Sequence, residues 1–234
     1  MENKPGTLRR MRPNTLALAG AAGVVLVGFL AGSSGPRSPS REHGYPVHRD
    51  ITTTVFWVGE GADESNQYIH NRSSTWVENW VGAYGGIDEP EPRCSFLPCG
   101  FTPKENPFYF ALPYNDLKES CDAKPSQLEA PWYTSPPKSG SSIVKNRWIQ
   151  INFDGKTAYA QWEDAGPFGE DDSGYVFGLS KPRSDAGLDV SPATAGYLGL
   201  DGEGQASWQF VPEEAVPDGP WRTTITRSPP DCAT

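Results

Sequence analysis

The chain has 234 residues, a formal charge of −9 and only 21% charged residues, but 25 glycines, 23 prolines and 8 tryptophans. An acidic chain lacks the basic footprint that nucleic-acid binding requires, and it repels anionic polymers. So many turn formers exclude a bundle of long helices and point to a turn-rich globular domain.

Residues 1–33 read as a secretory signal peptide or a signal-anchor helix. Met1–Arg12 is basic, and Thr15–Gly32 (TLALAGAAGVVLVGFLAG) is an uncharged apolar run of 18 residues. That length falls between a signal h-region and a spanning helix of about 20 residues. The basic flank directs the following chain outward in either case. The folded part is therefore expected to be secreted or membrane-anchored, with membrane contact only through this segment if it is retained. Residues 34–50, rich in Ser, Pro, Gly and Arg, read as a flexible tether.

The folded domain is expected over 51–234. Ile51–Val58 (ITTTVFWV) is β-branched and aromatic, a strand candidate. Ser73–Tyr84 (SSTWVENWVGAY) shifts to helical spacing, with Thr75 and Glu78 as a capping box. Trp76, Val77, Trp80, Val81 and Tyr84 then share one face, which reads as a core-packing stripe. From about 85 to 142 Gly, Pro and Cys dominate, and this stretch reads as an insertion with one apolar island, Phe108–Pro113 (FYFALP). Ile143–Phe153 (IVKNRWIQINF) and Thr157–Trp162 (TAYAQW) read as strands joined by a hairpin turn at Asp154-Gly155-Lys156. Ser191–Leu200 opens with Ser as N-cap and Pro at the first helical position, so it reads as a short helix. Ala206–Val211 (ASWQFV) is the last strand. Short strands, tight turns and small helices point to a mainly β, closed barrel.

The four cysteines (Cys94, Cys99, Cys121, Cys232) follow the apolar segment, the pattern of an oxidising compartment. They allow three pairings; the one expected closes the loop CSFLPC with Cys94–Cys99 and joins Cys121 to Cys232. No His lies near any Cys, so neither a metal nor a cofactor is expected.

The candidate site is carried by two aspartates. Asp164 follows the strand Thr157–Trp162 and precedes Ala-Gly-Pro, where the chain must turn. Asp189 follows Gly-Leu and precedes the Ser191-Pro192 helix start. Two carboxylates at strand ends, brought to one groove, suit acid-assisted chemistry on a sugar polymer. They equally suit hydrogen-bonded ties between crossing loops. The positive helix end is expected to favour the Asp189 anion, which leaves Asp164 as the proton carrier. Glu60 and Asp63, after the first strand, are further acidic candidates.

The run Asp164–Phe168 (DAGPF), Leu188–Ser191 (LDVS) with Pro192, Leu198-Gly199 and the Trp-bearing strand Ser207–Val211 resembles the double-psi β-barrels of the rare lipoprotein A and expansin families. Tyr109–Asp116 (YFALPYND) also resembles a stretch of rare lipoprotein A. The clear likeness spans Ile143–Val211. It implies a six-stranded double-psi β-barrel with short helices and a Pro/Gly-rich insertion, a monomer that engages cell-wall polysaccharide, either peptidoglycan or a neutral glycan. It implies Asp164 and Asp189 as the catalytic pair if the protein is an enzyme, cleaving glycan by lytic transglycosylation or hydrolysis with Asp164 as acid. Tyr109 and Asp116 are then the flanking substrate-binding candidates, although an Asp after Asn115 more often caps a turn. Trp162, Trp208 and Trp221 offer stacking surfaces if they are exposed, while burial in the barrel is the commoner outcome for such residues. Tyr109 stands where rare lipoprotein A has a histidine, and a phenol with a pKa of about 10 does not replace an imidazole base near neutrality. A non-catalytic expansin-like module, or a barrel without groove chemistry, are the other two readings.

Overall fold

The computed structural model describes residues 44–64 and 66–233, so the expected signal or anchor segment and most of the tether lie outside the described residues. In chain order the strands are β1 (His48–Val55), β2 (Arg93–Cys94), β3 (Leu97–Pro98), β4 (Tyr109–Leu112), β5 (Trp148–Phe153), β6 (Lys156–Ala165), β7 (Leu188–Val190) and β8 (Gly204–Val211). The helices are α1 (Trp80–Tyr84), α2 (Ser173–Val176) and α3 (Pro192–Leu198). Six strands close a barrel in the order β1-β7-β4-β6-β5-β8, while β2 and β3 pair separately inside the CSFLPC loop. The β1–β7 and β4–β6 pairs are parallel and the other barrel neighbours antiparallel. The mainly β, six-stranded closed barrel with short helices is the architecture expected from the sequence.

The barrel is filled by aromatic side chains packed against small ones. Trp162 is buried and stacks 5.8 Å from both Phe110 and Phe210. Ala160 pairs with Ile149 and Ala158 with Ile151, so small residues on β6 face large ones on β5 and the taper is filled without overlap. The β5–β6 hairpin turns at Asp154 and Gly155, whose φ values of 44° and 76° are the left-handed pair that a two-residue turn needs. Ser191 caps α3 by accepting from the Thr194 N–H at 3.2 Å, and Gly199 ends the helix in the left-handed region.

Three expectations shift. The apolar island within the expected insertion is β4, a fully buried barrel strand between β6 and β7. Its high apolar content reflects burial on both faces rather than a loop anchor. β1 begins at His48, inside the expected tether, because the imidazole stacks on Trp208 at 3.9 Å and extends the ladder. The helix expected from Ser73 begins only at Trp80. Ser74 Oγ accepts the N–H groups of Trp76 (3.3 Å) and Val77 (3.2 Å), which offers the backbone a turn instead of a helix. The stripe itself is a core face, with Trp76, Val77, Trp80 and Tyr84 all buried.

Both disulfides form as expected, Cys94–Cys99 with Cα atoms 4.9 Å apart and Cys121–Cys232 with Cα atoms 5.5 Å apart. They are the pattern of an oxidising compartment. Among the described residues no helix is long and apolar enough to cross a membrane.

Candidate functional site

Strand register brings the two aspartates to one face. Asp189 on β7 pairs with Thr54 of β1 on one side and Ala111 of β4 on the other. Ala111 pairs in turn with Asp164 of β6. Thr54, Asp189, Ala111 and Asp164 thus form a row across four neighbouring strands, and residues paired in register share a face. Along β6, strict alternation would aim Asp164 into the barrel with Trp162. The β4–β6 ladder shifts between Phe110 and Ala111, so Trp162 stays opposite Phe110 while Asp164 comes opposite Ala111. This bulge, with Glu163 as the extra residue, turns Asp164 outward.

The row lines a groove of about 1000 Å³. Its floor is the Ala111 methyl, with an aspartate to either side. Two strand spacings separate their Cα atoms, about 10 Å in a flat sheet and less in a curved one. Gly166 keeps the floor open, since a Cβ there would sit 3.5 Å from Asp189 Oδ2 and 3.7 Å from the Ala111 Cβ. Trp57 and Phe168 stand in the same lining, and Phe168 is 42% exposed with its backbone held at φ 48°. That is an uncommon conformation for a bulky residue.

The two carboxyls sit in different environments. Asp164 Oδ1 accepts the N–H groups of Thr75 at 2.7 Å and Ala165 at 2.8 Å, and Thr75 Oγ1 accepts the Ala165 N–H at 3.2 Å. Burial raises the Asp164 pKa to about 6, against the pull of the Thr75 and Ala165 hydrogen bonds. Among the described residues Asp189 Oδ1 accepts the Thr54 hydroxyl and no backbone N–H. Burial raises its pKa to about 7, and the nearby Glu60 and Asp164 charges add to the rise. The expected depression of Asp189 by the helix end does not occur. α3 is only seven residues long, the Ser191 hydroxyl accepts its Thr194 N–H, and burial of the carboxyl outweighs what the helix end offers. The two backbone N–H groups make Asp164 the better-held anion, and Asp189, without them, is the group that keeps its proton more readily, the opposite of the expected roles.

Glu60 also lines the groove, with Oε2 accepting from Asn71 Nδ2 at 2.7 Å. Burial raises its pKa as well. The outer lining is acidic: Glu91, Asp185, Asp201 and Glu203 face Arg93 as the single base among the described lining residues. Arg93 is itself paired with Asp88 at 2.6 Å.

The remaining candidates lie elsewhere. Tyr109 is buried in the core; its hydroxyl donates to Asp88 Oδ2 at 2.9 Å and accepts the Val58 N–H at 3.0 Å. Asp116 is buried as a loop tie, accepting from the Ser142 hydroxyl and the Ile143 N–H at 2.7 Å each and from Gln127 Nε2 at 2.9 Å. Trp162 fills the barrel and donates its indole N–H to the Asp164 carbonyl at 2.8 Å. Trp208 donates to the Tyr175 hydroxyl at 2.9 Å beneath His48. None of the four lines the groove, because each spends its polar group inside the fold.

Sequence reasoning missed Thr54, Thr75, Trp57 and Phe168. The Thr52-Thr53-Thr54 run carried a signal: alternation buries Thr53 and leaves Thr52 and Thr54 to the groove. Trp57 stands just past the end of β1, and Phe168 closes the DAGPF segment itself. Thr75 carried no signal, because its contact with Asp164 spans 89 residues.

The chain matches no family model and none of the curated proteins. Among solved structures it is similar to the Streptomyces papain inhibitor (SPI), at 15% identity over 71% of this chain and 94% of that one, with a TM-score of 0.31. The functional assignment therefore stands on the groove.

Proposed function

We propose that this barrel engages a cell-wall polysaccharide outside the cytoplasm, in the groove crossed by Thr54, Asp189, Ala111 and Asp164. The observation that carries the reading is this row: two carboxyls of unequal acidity flank a methyl floor in an open groove. Asp189, with a pKa of about 7, is half protonated at neutrality and mostly protonated below it, so it holds a proton for a glycosidic oxygen. Asp164, with a pKa of about 6, is mainly anionic at neutrality and supplies negative charge to an oxocarbenium-like centre. Trp57 and Phe168 offer flat apolar surface to pyranose faces, in place of the buried Trp162 and Trp208. The acidic lining disfavours anionic wall polymers and leaves peptidoglycan glycan strands or neutral glycans as the substrate class. The double-psi relationship to the rare lipoprotein A and expansin families belongs to this proposal and supports the same substrate class.

In the catalytic form, Asp189 protonates the leaving oxygen and Asp164 stabilises the charge that develops. The sugar then closes on its own hydroxyl, as in lytic transglycosylation, or takes up water, and the proton of that hydroxyl or water passes to the Asp189 carboxylate, which restores the acid. A second reading, an expansin-like module that binds without cleaving, is favoured by one observation. Tyr109, which stands in place of the family's histidine, is locked in the core by Asp88 and Val58, so that position brings no base to the groove. Incubation of the purified protein, Asp164→Asn and Asp189→Asn with peptidoglycan and with neutral glucans separates the two. Soluble fragments from wild type alone support cleavage, and sedimentation with the polymer without fragments supports binding. Neither fragments nor sedimentation would refute the polysaccharide reading.

A further inference from the structure

Of the two N–H groups that hold Asp164, one belongs to Ala165 of β6 and the other comes from outside the barrel. Thr75 lies in the irregular segment before α1, and its N–H reaches Asp164 Oδ1 at 2.7 Å. The C-terminal tail is one of the groups that hold that segment. The Asp231 N–H donates to the Trp76 carbonyl at 2.9 Å, and Asp231 Oδ2 accepts the Glu78 N–H at 2.6 Å, so the tail grips the chain on both sides of Val77. The next residue, Cys232, is bonded to Cys121. Cys121 sits on a small loop closed by the Cys121 N–H to the Lys118 carbonyl at 2.8 Å and by the Lys118 N–H to the Asp122 carbonyl at 2.8 Å. The root of that loop is Asp116, through its contacts with Ser142, Ile143 and Gln127. Trp76 completes the link, packing edge-on to Trp162 at 6.1 Å and donating its indole N–H to Asn115 Oδ1 at 3.2 Å.

We propose that the C-terminal tail, fastened by the Cys121–Cys232 disulfide, is a positioning device for the groove: it seats Thr75 against Asp164. Thr75 is a positioning residue for that carboxylate, and Asp116 anchors the far end of the clip. The inference rests on the reading of Asp164 as a working member of the groove, but its test needs no substrate. Asp164 faces a known set of charges: Asp189 across the floor, Glu163 immediately before it and Glu170 on the following loop. A change at Thr75 is therefore read against a fixed background.

The experiment is amide hydrogen exchange and carboxyl NMR titration on the full chain. In Cys121→Ser/Cys232→Ser, the Thr75 and Glu78 amides are expected to lose protection by about tenfold or more, while the β5 and β6 amides keep theirs. Cys94→Ser/Cys99→Ser, which opens the other disulfide, is expected to leave Thr75 unchanged. Should the double variant fail to fold, Asp231→Ala removes the carboxylate that accepts the Glu78 N–H while keeping the disulfide, and is expected to give the same local loss. The Thr75 hydroxyl adds its own hydrogen bond in favour of the Asp164 anion, beside the backbone N–H, so Thr75→Val, which removes the hydroxyl while keeping the size and the N–H, is expected to move the Asp164 midpoint upward by about half a unit or more. Unchanged Thr75 protection in the tail variants, or an Asp164 midpoint unmoved in Thr75→Val, overturns the proposal. Failure of the protein to bind or cleave any glycan leaves both readouts intact and refutes only the polysaccharide reading.

Discussion

Replacing Asp189 by Asn is expected to make the protein more stable, and only where the carboxyl would be charged. Asn keeps an oxygen for the Thr54 hydroxyl and removes the charge that burial, Glu60 and Asp164 all oppose. Holding a carboxyl at about 7 against an ordinary value of 3.8 corresponds to about 4 kcal/mol, at 1.36 kcal/mol per pH unit. The sign follows from linkage. The folded pKa lies above the unfolded one, so the destabilisation is full above pH 7 and disappears as pH falls towards 3.8. For a domain of this size the gain amounts to roughly 10 °C in Tm at pH 8. The assay is thermal unfolding by circular dichroism of wild type and Asp189→Asn at pH 8 and at pH 4. An equal Tm at pH 8, or a gain of the same size at both pH values, would refute the reasoning, because either result means the carboxyl is not held against its charge.

Other outcomes follow from the same contacts. His48 is buried, its Nε2 has no hydrogen-bond partner among the described residues, and burial lowers its pKa to about 4. A histidine held neutral in the fold causes no loss above pH 6.5 and destabilises progressively as pH falls towards 4, by up to about 3 kcal/mol. His48→Phe, which keeps the stack on Trp208, should flatten the acid limb of a denaturation profile; an unchanged limb would show that His48 does not drive it. The buried Lys145–Glu163 pair, 2.7 Å apart, backs the bulge that turns Asp164 outward. Lys145→Met should cost about 3–5 kcal/mol in urea denaturation because Glu163 is left buried without its cation, whereas the double replacement Lys145→Met/Glu163→Met should recover most of that loss. A loss as large in the double variant would contradict this account. Ala111→Leu should fill the groove floor at a stability cost of about 1–3 kcal/mol and abolish polysaccharide sedimentation while the circular dichroism spectrum stays native; sedimentation retained would place the ligand elsewhere.

Much of the barrel was legible in the chain because its signals are local. The Asp-Gly turn of the β5–β6 hairpin, the Ser-Pro start and Gly end of α3, and the disulfide closing CSFLPC each depend on residues close in sequence. The two aspartates were legible as candidates for one groove because each follows an apolar run and stands close to a turn or a helix start. What the pattern could not carry was depth. β4 looked like an island within a loop region, since a strand buried on both faces shows no alternation. Whether Trp162 and Trp208 stack on a ligand or fill the barrel stayed open in the sequence, because an aromatic residue in a strand reads the same whether it faces the barrel or the solvent, and both take the commoner outcome of burial. The acidity order of the two aspartates inverted for a related reason. Helix proximity is visible in sequence, whereas the hydrogen bonds that Thr75 brings to Asp164 from 89 residues away are not.

The most direct test of the groove is chemical-shift mapping of labelled protein titrated with peptidoglycan-derived and neutral oligosaccharides. The expected perturbations concentrate at Thr54, Trp57, Ala111, Phe168 and Asp189, with the side-chain signals of Trp162 and Trp208 little changed. Perturbations elsewhere on the barrel, with the groove residues silent, would contradict the assignment.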